Sequence, residues 1–316
     1  MNPNTGIQKI SRVLISVSDK TDLIPLAQTL EKHGAEILST GGTAKSLKGA
    51  GIKVTDVSEY TGFPEMMGGR LKTLHPLVHG GILLRRGFDE DEAERHGIKP
   101  IDMVIINLYP FKETIAKEEV VEAEAVEQID IGGPAMLRSA AKNFQFVTAV
   151  TAIKDYTTVI EELTEFGGIT FETRRQLAIK VFEKTSHYDH NIAEYLRSQG
   201  EPTELLDLHY EKAMKLRYGE NPHQKAVFFR DPTDQFPNVT NAKVLQGKEL
   251  SFNNIIDTDA ALELVKDFEK PAATVIKHMN PCGAATAENI TDAFSEAYEV
   301  DPMAAFGCVI ALNRSC

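Results

Sequence analysis

Tryptophan is absent from the 316 residues, and cysteine occurs only three times, as Cys282, Cys308 and Cys316. An odd number of thiols, all near the C-terminus and without a CxxC pair, argues against a disulfide framework and a thiolate zinc site. The same scarcity fits a cytosolic compartment. No apolar run approaches the about 20 residues of a membrane-spanning helix. The opening MNPNTGIQKISR lacks the apolar core of a secretory signal. Positive charge is in deficit, with 34 basic against 46 acidic residues and a formal net charge of −12. That balance speaks against a nucleic-acid coat and leaves room for a local basic pocket holding a small anion. Internal repeats and low-complexity tracts are missing too. What remains is an ordinary composition, 42% hydrophobic and 25% charged, over a length that suggests about two domains.

The first third alternates strand-like and helix-like stretches. VLISV (Val13–Val17), AEILST, KVTDV, MVIINLY (Met103–Tyr109) and FVTAVT (Phe146–Thr151) read as buried parallel strands. Leu23, Leu26, Ala27 and Leu30 fall on one helical face, and Gly34 is a natural stop. The expected fold is α/β, a doubly wound parallel sheet with helices on both faces. Ligands of such sheets sit beyond the carboxyl ends of the strands. From about Lys154 to Arg197 the pattern turns helical and reads as a connector, 151–198. A new unit then begins, with LRYGENPHQKA, FNNIIDTDAALELVKDF and the strand-like ATVIKH. The charge run Arg85–Gly97 reads as a solvated face.

Chemistry-bearing residues collect at the expected strand ends. Ser16–Lys20 follows the first strand and Ser39–Thr43 the second; Gly41 and Gly42 permit close backbone approach, while Thr40 and Thr43 carry hydroxyls. With Lys20 nearby and a helix following, this suits a phosphate, although a tight strand–helix turn alone would use the same glycines. Walker A and GxGxxG spacings are absent. Phe63–Gly81 packs Arg70, Lys72, Thr73, His75 and His79 around two glycines. Pro76 interrupts any helix that would make His75 and His79 a metal pair. Asn107 and Tyr109 end the fourth strand. Asp130, Gly132 and Gly133 precede a helix whose last turn carries Lys142. Asp130 fits either a helix cap or an acid–base group, and Lys142 either a helix end or a charge donor. Lys72, Tyr109, Asp130 and Lys142 flank strand ends, which gathers proton donors, an acceptor and positive charge at one rim. In the second unit VIKHMNPCG is expected to run a strand into Lys277 and His278, then turn at Pro-Gly. His278 can serve as a base and Lys277 can offset an oxyanion, or the histidine can be structural. The zinc-deaminase pattern is incomplete there, with no second cysteine and no HxE.

Six segments in order, GGTAKSL, TGFPEMMGGRLKTLHP, NLYPF, EQIDIGGPAMLRSAAKN, LRYGENPHQ and KHMNPCG, resemble the bifunctional purine biosynthesis family. That family joins phosphoribosylaminoimidazolecarboxamide (AICAR) formyltransferase to IMP cyclohydrolase. The resemblance implies a methylglyoxal-synthase-like cyclohydrolase domain at 1–150. At 199–316 it implies the first part of a transformylase built from cytidine-deaminase-like units without the zinc. Lys72, Tyr109, Asp130 and Lys142 match the family's cyclohydrolase site. Ser16, Lys20, Thr40, Gly41, Gly42 and Thr43 match its phosphate pocket. Arg70, Thr73, Asn107, Gly132 and Gly133 are taken as substrate-binding beside them. Arg217, Tyr218 and His223 match residues near the AICAR site, Lys277 and His278 its catalytic pair, and Phe306 and Gly307 a further AICAR-contacting turn.

By the same resemblance the ligands are AICAR, formyl-AICAR and IMP. The co-substrate is 10-formyltetrahydrofolate, the cyclohydrolase needs no metal, and the assembly is a homodimer. The chain is expected to stop inside the transformylase, with the cyclohydrolase complete and the transformylase impaired. Phe144, where relatives carry His, and Cys308, where Gly is common, depart from the pattern away from the named positions. Two rivals use the same fold. A methylglyoxal synthase leaves LRYGENPHQ and KHMNPCG without a role, and a regulatory nucleotide-phosphate-binding module has no use for Lys72 with Asp130.

Overall fold

A computed structural model describes residues 6–116, 120–200, 208 and 210–315. Cys316 lies outside the described residues. The chain divides into two units, Met1–Thr203 and Glu204–Cys316.

The first unit is built on a five-stranded parallel sheet in the order β3-β2-β1-β4-β5. Its strands are β1 (Arg12–Val17), β2 (Glu36–Ser39), β3 (Val54–Asp56), β4 (Met103–Asn107) and β5 (Thr148–Val150). Between them run α1 (Leu23–Lys32), α2 (Gly41–Gly49), α3 (Val57–Thr61), α4 (Pro76–Leu83), α5 (Glu90–Arg95), α6 (Phe111–Ile115), α7 (Glu122–Glu127) and α8 (Gly132–Lys142). After β5 come α9 (Tyr156–Phe166) and α10 (Phe171–Ser198).

Strand residues alternate between the two faces, and each face has its own core. Val13, Ile15, Val17, Met103 and Ile105 meet Leu23, Leu26 and Leu30 of α1, Leu47 of α2 and Leu163 of α9. Leu14, Val104 and Ile106 meet Val78 and Ile82 of α4, Met136 and Leu137 of α8, and Val181 of α10. Burying both faces is what turns these strands into nearly continuous apolar runs.

Two details depart from the sequence reading. Pro76 does not break a helix but opens α4 in its first turn, where its missing N–H has no partner to lose. His75 caps that helix, its Nδ1 accepting the Leu77 N–H at 3.1 Å. The stretch at 151–198 is likewise packed into the first unit. Leu177, Ala178 and Val181 of α10 are buried in its cores, and the Arg174 side chain is 1% exposed. Its guanidinium donates to the carbonyls of Ile169 (2.5 Å), Phe144 (3.1 Å) and Gln145 (3.2 Å), so backbone oxygens satisfy a buried cation. An amphipathic pattern reveals an apolar stripe but not the surface that stripe covers.

The second unit begins with the antiparallel pair β6 (Glu211–Lys215) and β7 (Val227–Arg230). A capping box between Ser251 and Asn254 opens α11 (Phe252–Lys266). An antiparallel sheet, order β10-β8-β9, contains β8 (Ala272–Lys277), β9 (Asn280–Thr286) and β10 (Val309–Leu312), with α12 (Ile290–Glu299) between the last two. The turn between β8 and β9 is not the expected Pro-Gly. It is His278–Met279, with φ of +53° and +62°. Positive φ at both central residues is the two-residue hairpin geometry that matches strand twist, here without glycine. Pro281 and Gly283 fall inside β9, where the register shifts opposite Val275 and Ile276. An edge strand with an irregular register tolerates proline.

Candidate functional site

In the first unit the strand order changes direction between β1 and β4, so the switch point, beside which such sheets hold their ligands, lies at the carboxyl ends of those two strands. Val17 pairs with Asn107 at that point. Asn107 is a clamp rather than a free contact. Its Oδ1 accepts from the Ser18 N–H (2.6 Å), the Ser18 hydroxyl (2.8 Å) and the Asp19 N–H (3.1 Å), and its Nδ2 donates to the Asp19 carbonyl (2.8 Å). Ser16 is half-buried within β1, and Lys20 is exposed with its ammonium on the Ser18 carbonyl at 3.3 Å.

The loop after β2 leads directly into α2. Thr40 precedes the helix in extended conformation and makes no side-chain cap, so the first N–H groups, around Gly41 and Gly42, have no helical partner. Thr43 is tied to β1, accepting the Val17 N–H at 3.1 Å and donating to the Val17 carbonyl at 2.9 Å. Its hydroxyl holds the helix to the strand. Lys72 reaches this helix start. Its Nζ stands 3.9 Å from where a Cβ on Gly41 would be, and it pairs with Glu65 Oε1 at 3.0 Å. Gly69 makes the pair possible. At φ +95° a side chain there is strained, and its Cβ would lie 2.7 Å from Lys72 Cε and 2.8 Å from Glu65 Oε1. Thr40, Gly41, Ser58, Phe63, Glu65 and Lys72 line one small polar cavity.

The next residue, Thr73, is buried, and its hydroxyl lies 2.8 Å from where a Cβ on Gly132 would stand. The Lys72 segment therefore abuts the turn that carries Asp130. That carboxyl accepts the backbone N–H of Gly133 at 2.8 Å and that of Tyr109. Burial pushes its pKa up from the ordinary carboxylate value, and the two N–H donors offset this only in part. A raised carboxyl beside the half-exposed Tyr109 ring is a proton-handling arrangement. Arg70 sits at the rim, paired with Glu127.

Lys142 does not join them. It is exposed at the last residue of α8, roughly 15 Å along the helix axis from Gly132. The adjacent Asn143 donates to the carbonyls of Ile82 (2.8 Å) and Leu84 (3.0 Å) at the C-terminal end of α4. Lys72, Tyr109 and Asp130 share one rim, and Lys142 marks the other. His79 packs inward, its Nδ1 3.3 Å from the Ser139 hydroxyl. Among the described residues no group of three or more His, Cys, Asp or Glu could hold a metal ion.

In the second unit the Lys277 ammonium donates to the carbonyls of Ala304 (3.2 Å) and Phe306 (3.1 Å), which ties the β8 end to the Phe306–Gly307 turn. Phe306 itself is 86% exposed. Asp257 of α11 accepts the Met279 N–H at 2.8 Å and so anchors the His278 turn. The Arg217 guanidinium lies 4.8 Å from the Tyr218 ring centroid, and the backbone of both residues bonds to Leu250 and Phe252 at the start of α11. His223 is exposed in the turn closed by the Gly219 N–H on the Gln224 carbonyl. Glu65, Ser18, Tyr188 and Asp257 were not singled out from sequence. Only Tyr188 left a signal, a polar tip on the apolar stripe of a long helix.

Residues 140–316 match the family model described as AICARFT/IMPCHase bienzyme, more than half of the chain. The chain belongs to the AICARFT/IMPCHase bienzyme family. Residues 22–135 match the MGS-like domain, a range that holds β2, β3 and β4 of the first unit's sheet together with Lys72, Tyr109 and Asp130. The chain is 54% identical over 307 residues to the bifunctional purine biosynthesis protein PurH of Halalkalibacterium halodurans, covering 96% of this chain and 60% of that one. It is 51% identical over 310 residues to the PurH of Bacillus subtilis, with the same two coverages. The chain thus spans about 60% of the length of these bienzyme relatives. A solved structure titled "Crystal structure of ForH" superposes with a TM-score of 0.56 at 37% identity, covering 60% of this chain and 98% of that one.

Proposed function

We propose that the first unit closes formyl-AICAR to IMP, and that the second unit belongs to a transformylase that forms formyl-AICAR from AICAR and 10-formyltetrahydrofolate. Bienzyme family membership and relatives named for purine biosynthesis support the pair of reactions. The observation that carries the cyclohydrolase reading is the continuity of one rim. Lys72 touches the open start of α2, while its neighbour Thr73 packs on the Asp130 turn.

The ring closes when the carboxamide nitrogen attacks the formyl carbon of the same molecule and water is lost. Both groups are already tethered, so the enzyme's contribution is the folded conformer and the handling of charge and protons. The N–H groups opening α2 hold the ribose phosphate. Lys72 offsets the oxygen charge that develops as the nitrogen attacks. Asp130, with its raised pKa, and Tyr109 exchange protons with the amide nitrogen and the departing oxygen. Asn107 and Thr43 fix the two loops. In the second unit His278 accepts a proton from the attacking amine of AICAR, and Lys277 holds the neighbouring turn and offsets charge. Arg217, Tyr218, His223, Phe306 and Gly307 are assigned to AICAR binding there.

The assembly is a cytosolic homodimer in this reading. Compartment is supported by Cys282 and Cys308, both free thiols, and by the lack, among the described residues, of a helix long and apolar enough to cross a membrane. The test is direct: the purified chain receives synthetic formyl-AICAR and, separately, AICAR with 10-formyltetrahydrofolate, and IMP is followed. IMP from formyl-AICAR is expected. Tight nucleotide binding without any turnover would leave a regulatory module instead.

A further inference from the structure

The turn that presents Asp130 has an anchor on α10, far away in sequence. The Tyr188 hydroxyl accepts the Asp130 N–H at 2.8 Å and donates to the Gln128 carbonyl at 3.1 Å. One oxygen therefore fixes the backbone on both sides of Ile129, just ahead of Gly133, whose N–H holds the Asp130 carboxyl. The Tyr188 ring is 6% exposed and packs edge-on against Phe111 at 6.3 Å between centroids. Phe111 follows Tyr109 by two residues, and its N–H bonds the Tyr109 carbonyl at 2.8 Å. Tyr188 thus touches both segments that supply proton-handling groups, the Tyr109 stretch after β4 through Phe111 and the turn between α7 and α8 that carries Asp130. A buried phenol whose oxygen both accepts and donates is a rigid spacer, because its ring is locked by packing and its hydroxyl has no remaining freedom. Burial also pushes the phenol pKa up, so it stays protonated and keeps its donor role through neutral pH.

We propose that Tyr188 is a positioning residue for ring closure, setting the place of Asp130 relative to Lys72 through the Gln128–Asp130 backbone. The inference rests on the cyclohydrolase reading for its kinetic consequence, and on geometry alone for its structural one. Tyr188→Phe keeps the ring and deletes the oxygen. It should lower kcat for formyl-AICAR closure by about tenfold, the scale of one misplaced hydrogen bond. KM should change by less than about twofold, since phosphate is held on α2. Independently of turnover, the Asp130 amide should exchange its hydrogen at least about tenfold faster, while amides in the middle of α8 keep their rates. Val181→Ala, a cavity on the same helix in the same core, serves as the control for stability alone: lower melting temperature, unchanged kcat and unchanged Asp130 exchange. Unchanged exchange at Asp130 in Tyr188→Phe overturns the proposal, as does a kcat loss that Val181→Ala reproduces at equal loss of stability. A wild-type chain that makes no IMP defeats the functional reading only, and the exchange measurement still decides the anchor.

Discussion

Gly133→Ala should cost more in activity than in stability. The Cβ built on Gly133 would stand 2.9 Å from the Asp130 Cγ and 3.1 Å from its Oδ1, so the carboxyl must leave its seat. It then gives up the Gly133 N–H. Losing a hydrogen bond to a charged acceptor costs about 1.5–3 kcal/mol. Alanine in place of glycine in a helix returns about 0.5–1 kcal/mol. The net loss is about 1–2 kcal/mol, or about 3–6 °C in melting temperature for a unit of this size, measurable by calorimetry. Ring closure should fall by at least about 10²-fold, because an acid–base group out of reach forfeits its contribution. Gly132→Ala is the comparison: its Cβ meets only the tip of Thr73, 2.8 Å away, which can swing aside, so a smaller loss of turnover is expected. A Gly133→Ala protein that closes the ring at near-normal rate would mean that the seated Asp130 carboxyl is not needed, and the site assignment would fail.

Lys72→Ala should lower formyl-AICAR turnover by at least about 10²-fold, the scale of a lost oxyanion donor, and steady-state kinetics reads it directly. Asn107→Ala removes four hydrogen bonds from the Ser18–Asp19 loop, so amide exchange there should rise while the sheet interior stays protected. For Asp130 the sign is set by burial. Its folded pKa lies above the ordinary value of 3.8, so its contribution to stability is complete below that pH and is lost as pH rises through the raised value. Asp130→Asn should therefore melt at a temperature that gains on wild type as pH is taken from about 4 to 8. Met279→Gly relieves a left-handed backbone at φ +62° and should stabilise the second unit by about 1 kcal/mol in denaturant titration. A loss there would show that the Met279 side chain matters more than its backbone.

Much of the first unit was legible because its physics is local and repeated. Apolar, β-branched runs at Val13–Val17 and Met103–Asn107 announce strands covered on both faces. Rim residues were legible through topology, since strand ends gather at one edge. Direction was harder to read. A Thr43 hydroxyl or an Asn107 amide suits a ligand and a neighbouring backbone equally well, and only coordinates show that both are spent on β1 and its loop. Lys142 stands at the far end of α8 from the Asp130 turn, a separation that its place in a motif does not disclose. The His278–Met279 turn was hidden behind the stronger turn formers Pro281 and Gly283, because tertiary anchoring by Asp257 outweighs local propensity.

The Lys72–Glu65 pair gives the crevice a built-in counterion. Under the proposed function, a phosphate ester arriving at the start of α2 would meet not a bare cation but one already paired with a tethered carboxylate. At physiological ionic strength attraction beyond about 8 Å is largely screened, so long-range pull contributes little to choosing between them. Selection falls instead to donor geometry. Three phosphate oxygens can accept several α2 amides at once, whereas Glu65, fixed to its own backbone, holds only the lysine. In the proposed reading the amides keep the phosphate, and Lys72, released from Glu65, is left to meet the charge that develops on the reacting oxygen.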